Sequence, residues 1–381
     1  MKLHKLIRSF TILFLLLLSS LFLGSCKETT DRTSSFTNPT SLTLDNTFAF
    51  RYLQPLYETK DTQFQQYMKS KALLLPTVSI NDSVATFANA KRLIDYPRFM
   101  DDTGFITTFK KVPQNVAVLF SSYAQVWQLA GGKVSITVEE SVTRDLVKED
   151  DVHLVGQGSG KEINFELLLS YQPDLVILTA DYEAHLEIAD RLRMFDIPVL
   201  VLRVDSFADY LNMLSMFTQI LGTKDNYQTY GSEVLDSVEH ILNLTSQMTT
   251  HPNVLFLRAY SYGAKVKTSE HFVGQMLNEL GAINIAESKQ FPLDTLSPEI
   301  IAASNVDSIF ISIMGEDEEA VIHYVERELL VQPAFSSLNA VKSHKYYILP
   351  KELFSFKPNQ NWAKAYEYLA NLLYPELNLK E

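Results

Sequence analysis

The chain has 381 residues, 46% of them hydrophobic and 20% charged. That composition belongs to a globular protein with room for two ordinary domains, and excludes disorder or full membrane embedding. A formal charge of −12 argues against a nucleic-acid binder, and the single cysteine excludes an internal disulfide, a CxxC redox motif and a zinc finger.

Residues 1–25 read as a targeting segment. Lys2, His4, Lys5 and Arg8 form a basic start, and Phe10 to Phe22 is apolar except for Thr11, Ser19 and Ser20. The run is too short to span a bilayer comfortably. Leu23-Gly24-Ser25-Cys26 then resembles the lipobox of bacterial lipoproteins, which implies that Cys26 is acylated and begins the mature chain. The alternative is an ordinary signal peptide. Losing Lys2, Lys5 and Arg8 would take the charge from −12 to −15, so acyl chains would hold an acidic protein at a membrane surface. Residues 26–47 are rich in Ser, Thr, Asp and Asn and read as a flexible tether. Residues 48–100 give no functional signal. Phe64 to Leu75 has a helical pattern, and Thr77 to Ile80 that of a short strand.

A first α/β lobe is expected over residues 101–223. Asp102-Thr103-Gly104 looks like a hairpin turn. Strands are expected at Val116–Phe120, Val134–Val138, Leu175–Leu178 and Val199–Leu202, with helices at Ser121–Ala130 and Phe207–Leu221 closed by glycines. Short apolar strands alternating with helices imply a parallel sheet covered on both faces. Residues 224–250 hold a long helix, Asp225 to Gln247, with apolar positions at Tyr227, Tyr230, Val234, Val238, Ile241 and Leu242 and Asp225 as its cap. It would reach about 34 Å. A second lobe follows over 251–381, with strands at Val254–Leu257, Ile309–Ile313 and Tyr346–Leu349 and helices at Phe272–Leu280 and Trp362–Leu373. The fold class is α/β, two lobes joined by one linking helix.

An internal echo relates the lobes. Asn164-Phe-Glu166 and Ser297-Pro-Glu299 each open a helix, and eight residues after each Glu an Asp, 174 or 307, opens a strand.

Several motifs fail on spacing. Gly156-Gln-Gly-Ser-Gly160-Lys161 has its second glycine too early for a P-loop, and Glu162 follows the lysine. No HExxH pair occurs among the histidines, and no GxSxG elbow is present. Aromatic side chains instead collect at strand ends and loops: Phe120 and Tyr123, Tyr182, Tyr260 and Tyr262, Phe354 and Phe356, with Arg203, Arg258, Lys265 and Lys357 among them. Ligands of parallel α/β lobes bind outside the carboxyl ends of the strands, so these residues are the candidate cleft lining.

From about residue 101 onward the chain resembles a class III substrate-binding protein of bacterial ABC importers, the iron-chelate, haem and cobalamin type. The resemblance is carried by an ordered set: Cys26; Val116-Ala-Val-Leu-Phe-Ser-Ser-Tyr123; Asn164-Phe-Glu-Leu-Leu-Leu-Ser-Tyr-Gln-Pro-Asp-Leu-Val-Ile177; the linking helix; Leu296-Ser-Pro-Glu299; Gln332-Pro-Ala-Phe-Ser-Ser-Leu-Asn-Ala-Val-Lys342; and Tyr347-Ile-Leu-Pro350. It implies a monomeric, lipid-anchored binder with little hinge motion, which hands a siderophore complex, haem or a corrinoid to a permease and its ATPase. The expected ligand contacts are Ser121, Tyr123, Tyr182, Arg203, Arg258, Tyr260, Tyr262, Met314 and Phe356. Glu166 and Glu299 match the family's permease-docking pair. Met314, His271 and Tyr260 are each conceivable metal ligands, with no cofactor and no resident metal expected. The competing class is an envelope enzyme of chelatase or carboxylate-dependent hydrolase type on the same architecture.

Overall fold

A computed structural model describes residues 98–287, 298–315 and 317–379. Cys26, the tether and the elements expected between 64 and 80 lie outside these, as does the side chain of Glu299.

The first lobe opens with a hairpin, β1 (Arg98–Met100) against β2 (Ile106–Thr108), turning where Asp102-Thr103-Gly104 predicts it. Its sheet contains β3 (Val116–Val118), β4 (Ile136–Thr137), β5 (His153–Leu154), β6 (Leu175–Thr179) and β7 (Val199–Leu202), all parallel in the order β5-β4-β3-β6-β7. An open β7 edge would present unpaired backbone groups. The hairpin covers it: the Asp102 N–H donates to Val201 O at 2.9 Å, and the Thr107 hydroxyl donates to Val199 O at 2.7 Å. Helices α1 (Ser121–Leu129), α2 (Glu139–Thr143), α3 (Phe165–Ser170), α4 (Glu183–Met194) and α5 (Phe207–Leu221) join and flank these strands. The α5 limits match the sequence pattern, because Ser206 caps its start and Gly222, at φ 73°, supplies the left-handed residue that ends it.

The linking helix differs from the expected uniform rod. It runs as α6 (Lys224–Tyr227), a π turn over Gln228–Ser232, and α7 (Glu233–Thr245). Asp225 sits in the first turn and is not the cap; Thr223 precedes the helix without a side-chain cap bond. The π turn falls where Gly231 packs on the fully buried Tyr227 ring, at a spacing that leaves a β-carbon only 3.1 Å from it. The wider turn shifts the inward face: Gly231 and Ser232 are buried, while Tyr230, expected on the apolar face, is only half-buried.

The second lobe contains β8 (Asn253–Tyr260), β9 (Gly263–Val266), β10 (Ile283–Asn284), β11 (Ser308–Ile313) and β12 (Tyr346–Ile348). The parallel order is β10-β8-β11-β12, with β9 folded back antiparallel on β8. Its helices are α8 (Phe272–Glu279), α9 (Pro298–Ala303), α10 (Glu318–Tyr324), α11 (Pro333–Ser336), α12 (Asn339–Lys342), α13 (Lys351–Phe354) and α14 (Trp362–Leu373).

The internal echo has a shared physical cause. The Asp174 N–H donates to Asn115 O, while the Asn115 N–H donates back to the Asp174 carboxylate at 2.8 Å. Asp307 and Asn253 make the same exchange, with the Asn253 N–H to the carboxylate at 2.8 Å. In each lobe the aspartate pins the start of one central strand to its neighbour.

One hydrophobic core runs through both lobes. It includes Val118, Ile177 and Leu200 of the first sheet, passes through Tyr227, Leu235 and Val238 of the linking helix, and reaches Phe256, Phe310, α8 and α14. The outer face of each sheet has its own cluster. The lobes therefore share close-packed interior rather than only a covalent joint, and close-packed interiors resist gradual deformation.

Candidate functional site

The carboxyl ends of both sheets deliver their loops to one cleft. From the first lobe come Ser121 after β3, Glu140 and Arg144 around α2, Tyr182 after β6, and Arg203 and Asp205 after β7. From the second come Arg258 and Tyr260 on β8, Met314 after β11, and Lys351, Phe356 and Lys357 after β12.

The four residues from Phe356 to Asn359 cross the floor. The Arg144 guanidinium lies 3.7 Å from the centre of the Phe356 ring. Lys357 Nζ is 3.5 Å from the Asp205 carboxylate, and Asn359 Nδ2 donates to Ser122 O at 3.0 Å and to Gln125 Oε1 at 2.6 Å. Burial raises the Asp205 carboxyl above its usual range, and Lys357 opposes that rise.

Ser121 is buried, and its hydroxyl donates to the Glu140 carboxylate and accepts from Arg144 Nη1 at 2.9 Å. A serine beside a carboxylate has the composition of a nucleophile and base. At 1% exposure, held between Glu140 and Arg144, it instead orders the arginine.

Tyr182 is half-buried, edge-on to Phe120 at 5.8 Å, with its hydroxyl donating to Ser159 Oγ at 3.3 Å. The glycine loop below it is packed, not loose: a β-carbon on Gly160 would come within 2.8 Å of Leu119 O and 2.7 Å of Val138. His185 fixes this loop, accepting from the Thr179 N–H at Nδ1 and donating from Nε2 to Gly160 O at 2.7 Å.

Across the cleft, Arg258 Nη2 donates to Met314 Sδ at 2.8 Å, while Arg258 Nε is buried without a partner. Tyr260 stacks with Tyr262 at 5.7 Å, and Tyr262, in the β8–β9 turn, is 84% exposed at the lip. His271 accepts from the Val273 N–H at Nδ1, 3.2 Å, which places the proton of the neutral ring on Nε2. Burial, then Arg258, Lys357 and Lys267, hold its pKa well below the usual histidine range. A ring protonated at Nε2 has no lone pair there for a metal, and the Met314 sulfur already accepts from Arg258. Among the described residues, no three His, Cys, Asp or Glu side chains gather as a metal site.

The structure thus brings Ser121, Tyr182, Arg258, Tyr260, Met314 and Phe356 to the cleft, with Tyr262 at its edge. It moves Tyr123 elsewhere. That side chain is fully buried in the core, its hydroxyl donating to Leu202 O at 3.0 Å, because its helix turns it inward behind Phe120. Arg203 is exposed and already committed to Asp181 at 3.3 Å and Ala180 O at 2.9 Å. Sequence reasoning missed Glu140 and Arg144. Their position just after the expected strand Val134–Val138, β4 here, was the available signal, and a search for clustered aromatic side chains passes over it.

Residues 116–353, more than half the chain, match the family model described as Periplasmic binding protein. No curated protein sequence matches the chain. Among solved structures, Staphylococcus aureus IsdE complexed with haem is 18% identical with a TM-score of 0.58, over 68% of this chain and 98% of that one. Staphylococcus aureus SirA complexed with staphyloferrin B is 19% identical with a TM-score of 0.57, over 74% and 99%. The haem-binding protein RhuT from Roseiflexus sp. RS-1 is 18% identical with a TM-score of 0.56, over 69% and 98%. At these identities the likeness concerns the fold.

Proposed function

The chain belongs to the periplasmic binding protein family, and on that premise we propose that it captures an iron chelate, haem or a corrinoid for an ABC importer. The observation that carries this reading is the cleft, where aromatic and guanidinium groups from both lobes converge, as in the Arg144–Phe356 contact. Aromatic faces supply apolar area for a bulky chelate, and guanidiniums recognise anionic oxygens. The ligand-binding set is Arg144, Tyr182, Arg258, Tyr260, Tyr262, Met314 and Phe356, with Ser121 ordering Arg144. Titration calorimetry against haem, ferric siderophores and corrinoids is the test. Binding of one class, weakened at least about tenfold by Arg258→Ala with Tyr260→Ala, is expected, from the size of typical buried contact losses. Binding of none would remove the reading.

The same proposal places the protein in the cell envelope, anchored through Cys26, with Glu166 and Glu299 meeting cationic groups on the two halves of a permease. Glu166 is exposed in the first turn of α3, with Arg191 only 3.6 Å away as a weak surface partner. Each exposed pair is weak, but two on a fixed platform reinforce one another. In cells, Cys26→Ser should release the protein from membranes, and Glu166→Lys with Glu299→Lys should abolish uptake while leaving ligand affinity intact. Normal uptake by the double lysine variant would refute the docking role.

A further inference from the structure

An apolar patch lies on the first lobe, away from the cleft. Met194 and Phe195 close α4 and are 84% and 61% exposed. They lead into β7, so they sit at the amino-terminal ends of the strands, opposite the loops that form the cleft. The patch continues on both sides. The Phe195 ring is 6.3 Å from that of Phe165, and the Arg193 guanidinium lies 4.3 Å from the centre of the Phe105 ring on the hairpin. Phe105 and its neighbour Ile106 are exposed as well. The cations here are already paired, Arg193 with Asp101 and Asp190, and Arg191 with Glu166. What stays open is apolar surface, rimmed by the exposed acids Asp196 and Glu187, the latter two turns before Met194 on the same helical face. Single exposed apolar side chains are ordinary, whereas a connected group of them marks a surface that something covers.

The chain itself offers the cover. It enters β1 at Arg98, which pairs with Thr108 on the strand that carries Ile106, so everything before Arg98 arrives beside the patch. Upstream, Phe64, Tyr67, Met68, Ala72 and Leu75 recur at helical spacing on one face, and Pro76 ends the run. This stretch carries Lys69 and Lys71 and no acid, in a chain of net charge −12, which suits the acidic rim. Residues 76–97 join it to β1 and extend to about 70 Å, roughly twice the width of a small domain. A segment tethered so meets its site at an effective concentration of millimolar order, well above that of a second copy of the chain. An anionic lipid surface would be repelled by the same acids that favour the lysines.

We propose that residues 64–75 dock as an amphipathic helix on the patch formed by Phe105, Ile106, Met194 and Phe195. Docking leaves only residues 26–63 between the lobe and the proposed anchor at Cys26, and so limits how far the lobe can stand from a membrane. The inference does not involve the cleft and stands or falls independently of its ligand.

Hydrogen exchange on the full mature chain, made as Cys26→Ser to keep it free of lipid, is the test. Amides of residues 64–75 should exchange at least about tenfold more slowly than those of an unstructured chain. Met194→Gln with Phe195→Gln, both at exposed positions, should remove that protection and leave the β6 and β7 amides unchanged. Tyr67→Gln with Met68→Gln should do the same from the other side, and should raise binding of an apolar fluorescent dye that wild type binds weakly. Exchange of 64–75 at unstructured rates in wild type overturns the proposal. So does protection that survives both double variants, because the segment would then pack elsewhere. Sedimentation and flotation with phosphatidylcholine vesicles complete the test. A wild-type dimer, or vesicle binding, that Met194→Gln with Phe195→Gln abolishes would give the patch to a second copy or to lipid, and would overturn the assignment to residues 64–75.

Discussion

Replacing Asp101 by alanine is expected to lower the free energy of unfolding by about 3–5 kcal/mol, the range for removing one partner of a buried ion pair. Asp101 is 3% exposed and accepts from five groups. The Thr103 and Phe105 N–H groups donate at 3.0 Å, the Thr103 hydroxyl at 2.6 Å, the Val201 N–H at 3.1 Å and Arg193 Nη2 at 2.8 Å. One carboxylate thus closes the β1–β2 turn, ties it to β7 and neutralises Arg193. Without it, Arg193 keeps only the exposed Asp190, at 3.0 Å, as an ion-pair partner and stands largely buried beside an uncovered strand edge. Loss of edge pairing would reach the cleft, because the loop after β7 carries Arg203 and Asp205. The exposed Arg191–Glu166 pair provides the contrast, and Arg191→Ala should change stability by under about 1 kcal/mol. Denaturant unfolding of the two variants makes the comparison. An Asp101→Ala loss as small as the Arg191→Ala loss would show that the hairpin contributes nothing to the lobe.

The hairpin itself was legible, since Asp-Thr-Gly marks a turn by local chemistry. Its partner was not, because nothing local in Asp101 names Val201, a hundred residues away. The same division runs through the molecule. The strands β6, β7 and β11 are continuous apolar runs buried on both faces, so composition alone reveals them. The strands β5 and β10 have two residues each and exist only through their neighbours, whereas β4, equally short, lies inside the apolar run expected at Val134–Val138. Strand β9 is a hairpin return, and its Gly-Ala-Lys-Val carries little strand signal.

The site divides along similar lines. Tyr182, Arg258, Tyr260 and Phe356 lie at the cleft because they sit at or beyond the carboxyl ends of parallel strands, where loops converge. Tyr123 was misplaced because it follows the strand end at Phe120 so closely in sequence, although a helix was expected from Ser121. Ser121 and Ser122 start α1 as expected, and on that helix the tyrosine faces the core. The charge balance that distinguishes Arg258 from Arg203 could not be read from sequence at all, since it depends on which acids fold beside each arginine.

Trp362→Ala is expected to cost about 3–5 kcal/mol, the range for deleting a buried tryptophan side chain, and also to loosen the lobes from each other. Trp362 is 1% exposed at the start of α14. Its ring is 5.6 Å from Phe207 at the start of α5 in the first lobe, and 5.8 Å from Phe272 at the start of α8 in the second. It is therefore a single side chain that both lobes pack against. The π turn in the linking helix is a place where helices bend, so rigidity between the lobes has to come from this shared core rather than from the helix alone. Trp362→Phe separates packing from hydrogen bonding. The indole Nε1 is buried without a partner, so phenylalanine loses area but no bond, and the expected cost falls to about 1.5 kcal/mol or less. Solution scattering should find wild type little changed between its free and ligand-saturated forms, unlike hinge-closing binders. Trp362→Ala should broaden the free form and contract on binding. If Trp362→Ala scatters like wild type in both states, the lobes are held by the linking helix, and the shared core is stability without mechanical consequence.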